Sequence, residues 1–401
     1  MATLTALAAL SIDMILPALP AIGSSLGVDR PNDNQLIISL LFLGFAFGQL
    51  FYGPVSDSVG RKPAVYAGLG LFIGGCVLAL RARTFPVMLA GRLLQGIGAA
   101  GGRTMTIALV RDRFEGPGMA RVMSLIMTIF ILVPIVAPSV GQAVLTVSGW
   151  RTIFGIYLAM ALAAGLWFAL RQEETLPAAR RVPFSARQIA GAFRSVVTNR
   201  VALGYTLAAG CAFGAFLGYL SSAQQILQEQ YSVGPRFPLY FATLALALGS
   251  ASFLNARLVM RHGMRTLSVL ASTTLCSLAI LFGGAVAVWH GQPPLWALMT
   301  YLLLSFFCVG PLFGNLNALA MQPLGRVAGT GAAVVGGLAT LISLLLGTII
   351  GQSYNGTVIP LVSGFAMLGA LTVAAMRWAE SGSGAVSEPA RIGDDPLILG
   401  D

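Results

Sequence analysis

The chain has 401 residues, of which 56% are hydrophobic and 9% charged, whereas a soluble domain carries about 25% charged residues. So few charges cannot cover a water-facing surface, which excludes an ordinary soluble enzyme and makes lipid the outer solvent. The net charge of +10 is not a nucleic-acid signature: every basic residue but Lys62 is an arginine, and they stand mostly at the ends of apolar runs.

A membrane span needs about 20 apolar residues. Twelve spans with short connections fit this length, and twelve apolar segments follow one another. Backbone groups inside lipid must be satisfied internally, so each is read as a helix. The first, 3–26, carries Asp13, Pro17 and Pro20 and lacks the basic start of a cleavable signal. The second, 34–55, runs into a polar stretch that precedes the third, 64–81. The fourth, 86–110, contains Arg92 and Arg103; the fifth, 119–146, contains Pro134, Pro138 and Gly141; the sixth is 152–170. Residues 171–199, rich in arginine, read as a cytoplasmic linker with a short amphipathic helix around Phe184 to Val197. The remaining segments are 200–221, 237–258, 266–289, 295–319, 328–351 and 358–378, followed by a polar, disordered tail.

The expected architecture is therefore an all-α membrane protein of twelve transmembrane helices in two six-helix halves. The N-terminal half is 1–170, the linker 171–199, the C-terminal half 200–379 and the cytoplasmic tail 380–401. With the 55–63 gap inside, seventeen basic residues fall on one side and five on the other, which puts both termini in the cytoplasm. Glycines recur at four-residue spacing (Gly44/Gly48, Gly70/Gly74, Gly98/Gly102, Gly210/Gly214/Gly218, Gly347/Gly351), a pattern that permits close helix approach.

The four cysteines all lie within apolar runs and both histidines, His262 and His290, in loops. No metal site and no cofactor is expected, and no histidine-based intramembrane enzyme. Lys62 is the one lysine and lies in no phosphate-binding loop, so an ion gradient is the remaining source of energy for uphill transport.

Buried charge marks the candidate site. Asp13 is the one acidic residue well inside a span. Arg92 and Arg103 are eleven residues apart on one helix, about 1100° around and about 16 Å along it, so they point the same way on either side of the span's centre. Each has a structural alternative: Asp13 capping the kink ahead of Pro17, Arg92 fixing helix packing, Arg103 reaching toward the headgroups. The second half offers no buried charge but a wall of Tyr205, Phe213, Phe216, Tyr219, Phe306, Phe313, Asn315 and Asn317, suited to a partly apolar ligand. Asn315 and Asn317 are about 200° apart and cannot both face inward.

The stretch Gly53-Pro-Val-Ser-Asp57-Ser-Val-Gly60-Arg61-Lys62-Pro63 resembles the signature loop of the major facilitator superfamily, Gly-x-x-x-Asp-Arg-x-Gly-Arg-Lys, with Ser58 where a basic residue is usual. The loop from Arg257 to Arg265, with Gly263, is a degenerate echo of it. Arg92-Leu-Leu-Gln95-Gly96 is similar to the family's Arg-x-x-Gln-Gly motif, and Pro134-Ile-Val-Ala-Pro138-Ser-Val-Gly141-Gln142 to its antiporter motif. Asp13-Met-Ile-Leu-Pro17-Ala-Leu-Pro20 resembles the bicyclomycin/chloramphenicol-resistance exporters, with Ile15 where tyrosine is usual, and Gly149-Trp150-Arg151 and Ala328-Gly329-Thr330 fit the same subgroup.

The resemblance implies a monomeric, multi-pass transporter of the bacterial inner membrane. Its first, fourth, seventh and tenth helices would surround a central cavity open to one side at a time. Asp13 and Arg92 would couple to protons. Asp13, Arg103, Tyr205, Phe213, Phe216, Tyr219, Asn315 and Asn317 would meet the substrate. Gly53, Asp57, Gly60, Arg61 and Lys62 would form a conformational latch, and Pro17, Pro134, Pro138 and Gly141 would kink helices. The function expected is proton-coupled export of small amphipathic drugs or metabolites, neutral, zwitterionic or anionic since the embedded region carries two arginines and one aspartate. The alternative is a facilitator or importer without proton antiport.

Overall fold

The computed structural model describes residues 2–381; most of the expected disordered tail, with Arg391, lies outside the described residues. The chain folds as helices α1 (Ala2–Asp13), α2 (Leu19–Ser25), α3 (Leu36–Val59), α4 (Arg61–Leu80), α5 (Phe85–Arg113), α6 (Gly116–Val147) and α7 (Arg151–Arg171). Then come α8 (Ala186–Thr198), α9 (Arg200–Gln224), α10 (Phe237–His262), α11 (Met264–Val288), α12 (Leu295–Met321), α13 (Ala328–Gln352) and α14 (Ile359–Glu380). There is no strand among the described residues.

Ten helical stretches among the described residues are long and apolar enough to cross a membrane. The fourth and fifth expected spans are not among the ten. Helix α5 is 29 residues long, but Arg92, Gln95, Arg103 and its glycines dilute its apolar character. In α6 the apolar stretch found is the shorter Leu132–Val147. Both still pack within the bundle, α5 against α1, α3 and α4, and α6 against α1 and α10.

The first expected span is broken. Helix α1 stops at Asp13, a short 3-10 turn covers Leu16–Ala18, and α2 resumes at Leu19. Pro17 is the cause: it has no N–H to offer the Asp13 carbonyl four residues back, and its ring crowds that carbonyl. Helix α6 runs uninterrupted through Pro134 and Pro138, and Gly141 serves a close approach: a methyl group there would overlap the Met14 carbonyl in the α1 break.

Glycines decide the tightest seams. A methyl on Gly44 or Gly96 would overlap the backbone between α3 and α5, and one on Gly210, Gly218 or Gly347 would collide between α9 and α13. The expectation fails for Gly70 and Gly74, which face open space. Large apolar side chains such as Trp167, Phe253, Leu281 and Trp296 cover the outside, as a lipid-facing surface requires. Two seams tie the early helices to the late ones, α3 against α13 and α6 against α10. The amphipathic linker helix is α8, capped by the Ser185 hydroxyl, which accepts from the Gln188 N–H at 3.3 Å. Its Ala192 and Val196 are buried, and it packs on α9 and α13.

Candidate functional site: a buried carboxylate at a helix break and a charged corner

Breaking α1 leaves carbonyls without their usual helical donors, and buried side chains supply them. Arg92 is fully buried. Its guanidinium donates to the Ser11 carbonyl of α1 (2.8 Å), the Ile37 carbonyl of α3 (3.0 Å) and Gln95 Oε1 (2.8 Å). Gln95 in turn donates to Cys76 Sγ of α4 at 3.0 Å. The Tyr157 hydroxyl of α7 donates at 3.0 Å to the Leu10 carbonyl, which also keeps its helical bond from the Met14 N–H at 3.1 Å. Arg92 therefore binds helices together and makes no ion pair with Asp13.

Asp13 sits at the end of this pinned segment. It is 5% exposed and makes no hydrogen bond or ion pair among the described residues. It lies within electrostatic range of the Tyr157 and Tyr219 hydroxyls, and the Tyr219 hydroxyl is itself buried without a hydrogen-bond partner. A carboxyl group at such depth without an ion-pair partner is rare and marks a candidate site.

Arg103, eleven residues further along α5, is exposed, and its guanidinium lies over the Phe45 ring at 5.9 Å. Phe42, one turn away on α3, meets Phe213 edge-on at 5.9 Å. Phe213 stacks on Phe216 at 5.6 Å, both meet Phe313, and Phe216 and Tyr219 meet Phe306. One aromatic surface thus runs from Arg103 across α3 to α9 and α12. Phe42 and Phe45 are the members that sequence reading missed; their i, i+3 spacing on the second span was the available signal.

Three expected wall residues lie elsewhere. The Tyr205 hydroxyl donates to Glu380 Oε1 at 2.7 Å, beside the Arg265–Glu380 ion pair at 2.8 Å. Asn315 is buried and exchanges two hydrogen bonds of 3.0 Å with Asn255 of α10. Asn317 is exposed and bonds its own helix at the Phe313 carbonyl.

The expected loop is a corner of one residue. Helix α3 extends through Asp57 to Val59, Gly60 takes φ +107°, and α4 starts at Arg61. Glycine is required at that φ. Arg61 donates to Asp57 Oδ1 at 2.5 Å and Asp112 Oδ2 at 3.0 Å. Glu174, just beyond α7, accepts from the Arg61 and Lys62 backbone N–H groups at 2.9 and 3.0 Å, a carboxylate set on the positive end of α4. Burial works to raise the Glu174 pKa, but backbone donors from Leu176, Lys62, Arg61 and Thr175 outweigh it and hold the carboxyl below its ordinary range. Ser58 bonds its own helix at the Val55 carbonyl, and Gly53 has open space beside it. Between this corner, the linker and the start of α13 lies a cleft of about 550 Å³ lined by Asp57, Phe184, Gln188 and Thr330 among others. Sequence reading did not single out Asp112, Glu174 or Glu380, the last of which pairs with the Arg265 side chain two residues past Gly263 (φ +79°). For Glu174 and Glu380 a positional signal was available: each closely follows the last apolar residues of its six-segment set.

Among the described residues no cluster could hold a metal ion. The broken helix, the arginine staple and the charged corner are those of a membrane transporter, and residues 1–348 match the sequence profile of the Major Facilitator Superfamily. The chain belongs to that family, whose members are transporters of small molecules and not enzymes. It is 31% identical over 351 residues to the uncharacterized MFS-type transporter YdgK of Bacillus subtilis, covering 86% of this chain and 85% of that one. It is 29% identical over 366 residues to the bicyclomycin resistance protein homolog of Haemophilus influenzae, covering 88% and 87%. Its fold is that of a D-xylose–proton symporter, with TM-score 0.69 and 13% identity over 94% of this chain and 95% of the other.

Proposed function

We propose that this chain is a proton-coupled exporter of small amphipathic drugs or metabolites working by alternating access. The halves 1–170 and 200–379, six spans each, rock about the α3–α13 and α6–α10 seams. The charge asymmetry of the loops orients the Asp57 corner and both termini toward the cytoplasm. The observation that carries the reading is Asp13: a carboxyl buried at a helix break, without an ion pair among the described residues and within electrostatic range of two tyrosine hydroxyls. Such a group takes up or gives off a proton when its access to water changes. Arg92 acts on it indirectly, by fixing the Ser11 carbonyl two residues away.

The substrate chamber is the aromatic surface from Phe42 and Phe45 to Phe213, Phe216, Tyr219, Phe306 and Phe313, with Arg103 at its edge. An apolar ring meets the aromatics, and a carbonyl, nitro or sulfonyl oxygen meets the guanidinium. A lipophilic cation is disfavoured beside Arg103, where charge repulsion is stronger than in water. The relative named for bicyclomycin resistance supports export of a drug. The Asp57–Arg61–Asp112–Glu174 corner is the cytoplasmic latch.

The test is a resistance panel in cells stripped of their own exporters. Protection against neutral amides or acidic drugs, lost on Asp13→Asn and weakened on Arg103→Ala, agrees with the reading. Protection confined to quaternary ammonium dyes contradicts it.

A further inference from the structure

The end of the bundle opposite the Asp57 corner is tied shut by side-chain amides. Asn32 and Gln35 lie in the short turn Pro31–Gln35 that precedes α3. Gln225 opens a single π-helical turn, Gln225–Gln230, at the end of α9. Gln35 Nε2 donates to Gln225 Oε1 at 2.5 Å and to the Gly351 carbonyl of α13 at 3.0 Å. Gln225 Nε2 donates to Asn32 Oδ1 at 2.8 Å. Asn32 Nδ2 donates to the carbonyls of Gln352 (3.0 Å) and Tyr354 (2.9 Å), and Gln352 Nε2 returns a bond to the Asn32 carbonyl at 2.8 Å. The seam continues along α3 and α13 through Ser39 and Thr348, 3.1 Å apart, and Gln49 and Thr340, 3.2 Å apart. All of these bonds join residues before 50 to residues after 224.

We infer that this cluster is the outer gate of the transporter, and that its uncharged chemistry makes outer closure indifferent to pH and salt. The inference rests on the alternating-access reading above. Every partner is an amide, an aliphatic hydroxyl or a backbone carbonyl, and none of these titrates. The titratable and charged groups around it are Asp29, Arg30 and Asp33 at the turn, Glu229 in the π turn, Tyr231 at its end and Tyr354 beyond α13. Glu229 is exposed and accepts from Gln224. The Tyr354 phenol is pushed up to about 12, by burial first and by Glu229 next, so it stays neutral. Asp33 is an acceptor in none of the bonds that cross the gate. Screening by salt acts on charges and leaves neutral amide pairs largely untouched. The π turn supplies the means of opening, since the irregular backbone leaves Gln225 placed by one turn that can reset without moving all of α9.

The experiment uses the full chain in nanodiscs with its four cysteines replaced and spin labels at the exposed positions Arg30→Cys and Ser353→Cys, one on each side of the gate. The label distance is followed from about pH 5 to about pH 9 and from about 0.1 M to about 1 M salt. Gln225→Ala removes two side-chain bonds across the gate and Asn32→Ala three; each should raise the open fraction by at least the roughly 2- to 10-fold that one net hydrogen bond is worth, by the same factor at every pH and salt. Gln225→Glu should make the gate titrate. Its carboxylate faces the Asn32 oxygen, whose amide is held in that orientation by the Gln352 and Tyr354 carbonyls, so it should open at high pH and close at low pH, where the protonated acid replaces the amide. That closed form also shows that the variant folds. Open fractions unchanged in the alanine variants, with Gln225→Glu no more open at high pH than at low, overturn the gate. A native chain whose outer label distance never changes during active transport overturns the alternating-access reading itself.

Discussion

Arg92→Lys keeps the charge and removes the fork. Arg92 reaches three acceptors on three different segments: the Ser11 carbonyl at 2.8 Å, the Ile37 carbonyl at 3.0 Å and Gln95 Oε1 at 2.8 Å. A lysine ammonium is a single point on a flexible stem and cannot occupy the two separate nitrogen positions that serve α1 and α3. At least one buried carbonyl is then left without a donor, and in most rotamers two. A hydrogen bond to a charged group contributes about 1.5–3 kcal/mol, so the expected loss of stability is about 2–5 kcal/mol. The break in α1 also loses its anchor two residues before Asp13, so coupling should suffer beyond the loss of fold. The assay is thermal and denaturant unfolding in detergent alongside drug efflux, with Arg92→Leu as the variant lacking both charge and fork. A lysine variant as stable as the native protein, with an unchanged pH profile of transport, would refute the staple. A variant equally stable but uncoupled would make Arg92 part of the proton path itself.

Gly141→Val should destabilise the protein or lock transport, because its side chain would occupy the space of the Met14 carbonyl in the α1 break; Gly70→Ala, facing open space, is the control and should be silent in the same unfolding assay. Glu174 carries a depressed carboxyl pKa, so its stabilisation is complete above about pH 4.3, the ordinary value for glutamate, and is lost as the pH falls below that toward its own lower value. Glu174→Gln should flatten this acid limb in a stability–pH profile. Asn315→Ala should cost about 1–3 kcal/mol, by leaving the Asn255 amide unpaired, yet leave the spectrum of exported drugs unchanged; Phe45→Ala should do the reverse in a resistance panel. Asp57→Asn should slow turnover with little change in equilibrium substrate affinity, read by comparing binding and flux.

The class of the fold was legible because burial in lipid leaves few options: apolar runs of sufficient length become helices, and the loop charges orient them. Pro17 announced the α1 break, since a missing N–H four residues after Asp13 has one consequence. What sequence left open was where polar side chains point within a turn. Arg92 and Arg103 share a helix face by spacing, yet one is sealed between helices and the other lies over Phe45. The difference comes from α1, whose unpaired Ser11 carbonyl captures Arg92 alone. Tyr205 and Asn315 looked like cavity residues because they occupy the seventh and tenth spans; a distant acid, Glu380, and a distant amide, Asn255, claim them instead. Corner residues Asp112 and Glu174 come from segments far apart in sequence, and only their meeting at Arg61 reveals them.

The central claim is that Asp13 exchanges a proton for each cycle of drug movement. Its most direct test is proton flux in proteoliposomes that contain purified protein, a pH-sensitive dye and no imposed gradient. Adding a neutral drug to one side should drive proton movement in the opposite direction from the native protein and from Arg103→Ala at reduced rate. The Asp13→Asn variant, folded and still binding drug, should move none. Drug-driven proton movement that survives in Asp13→Asn would contradict the account.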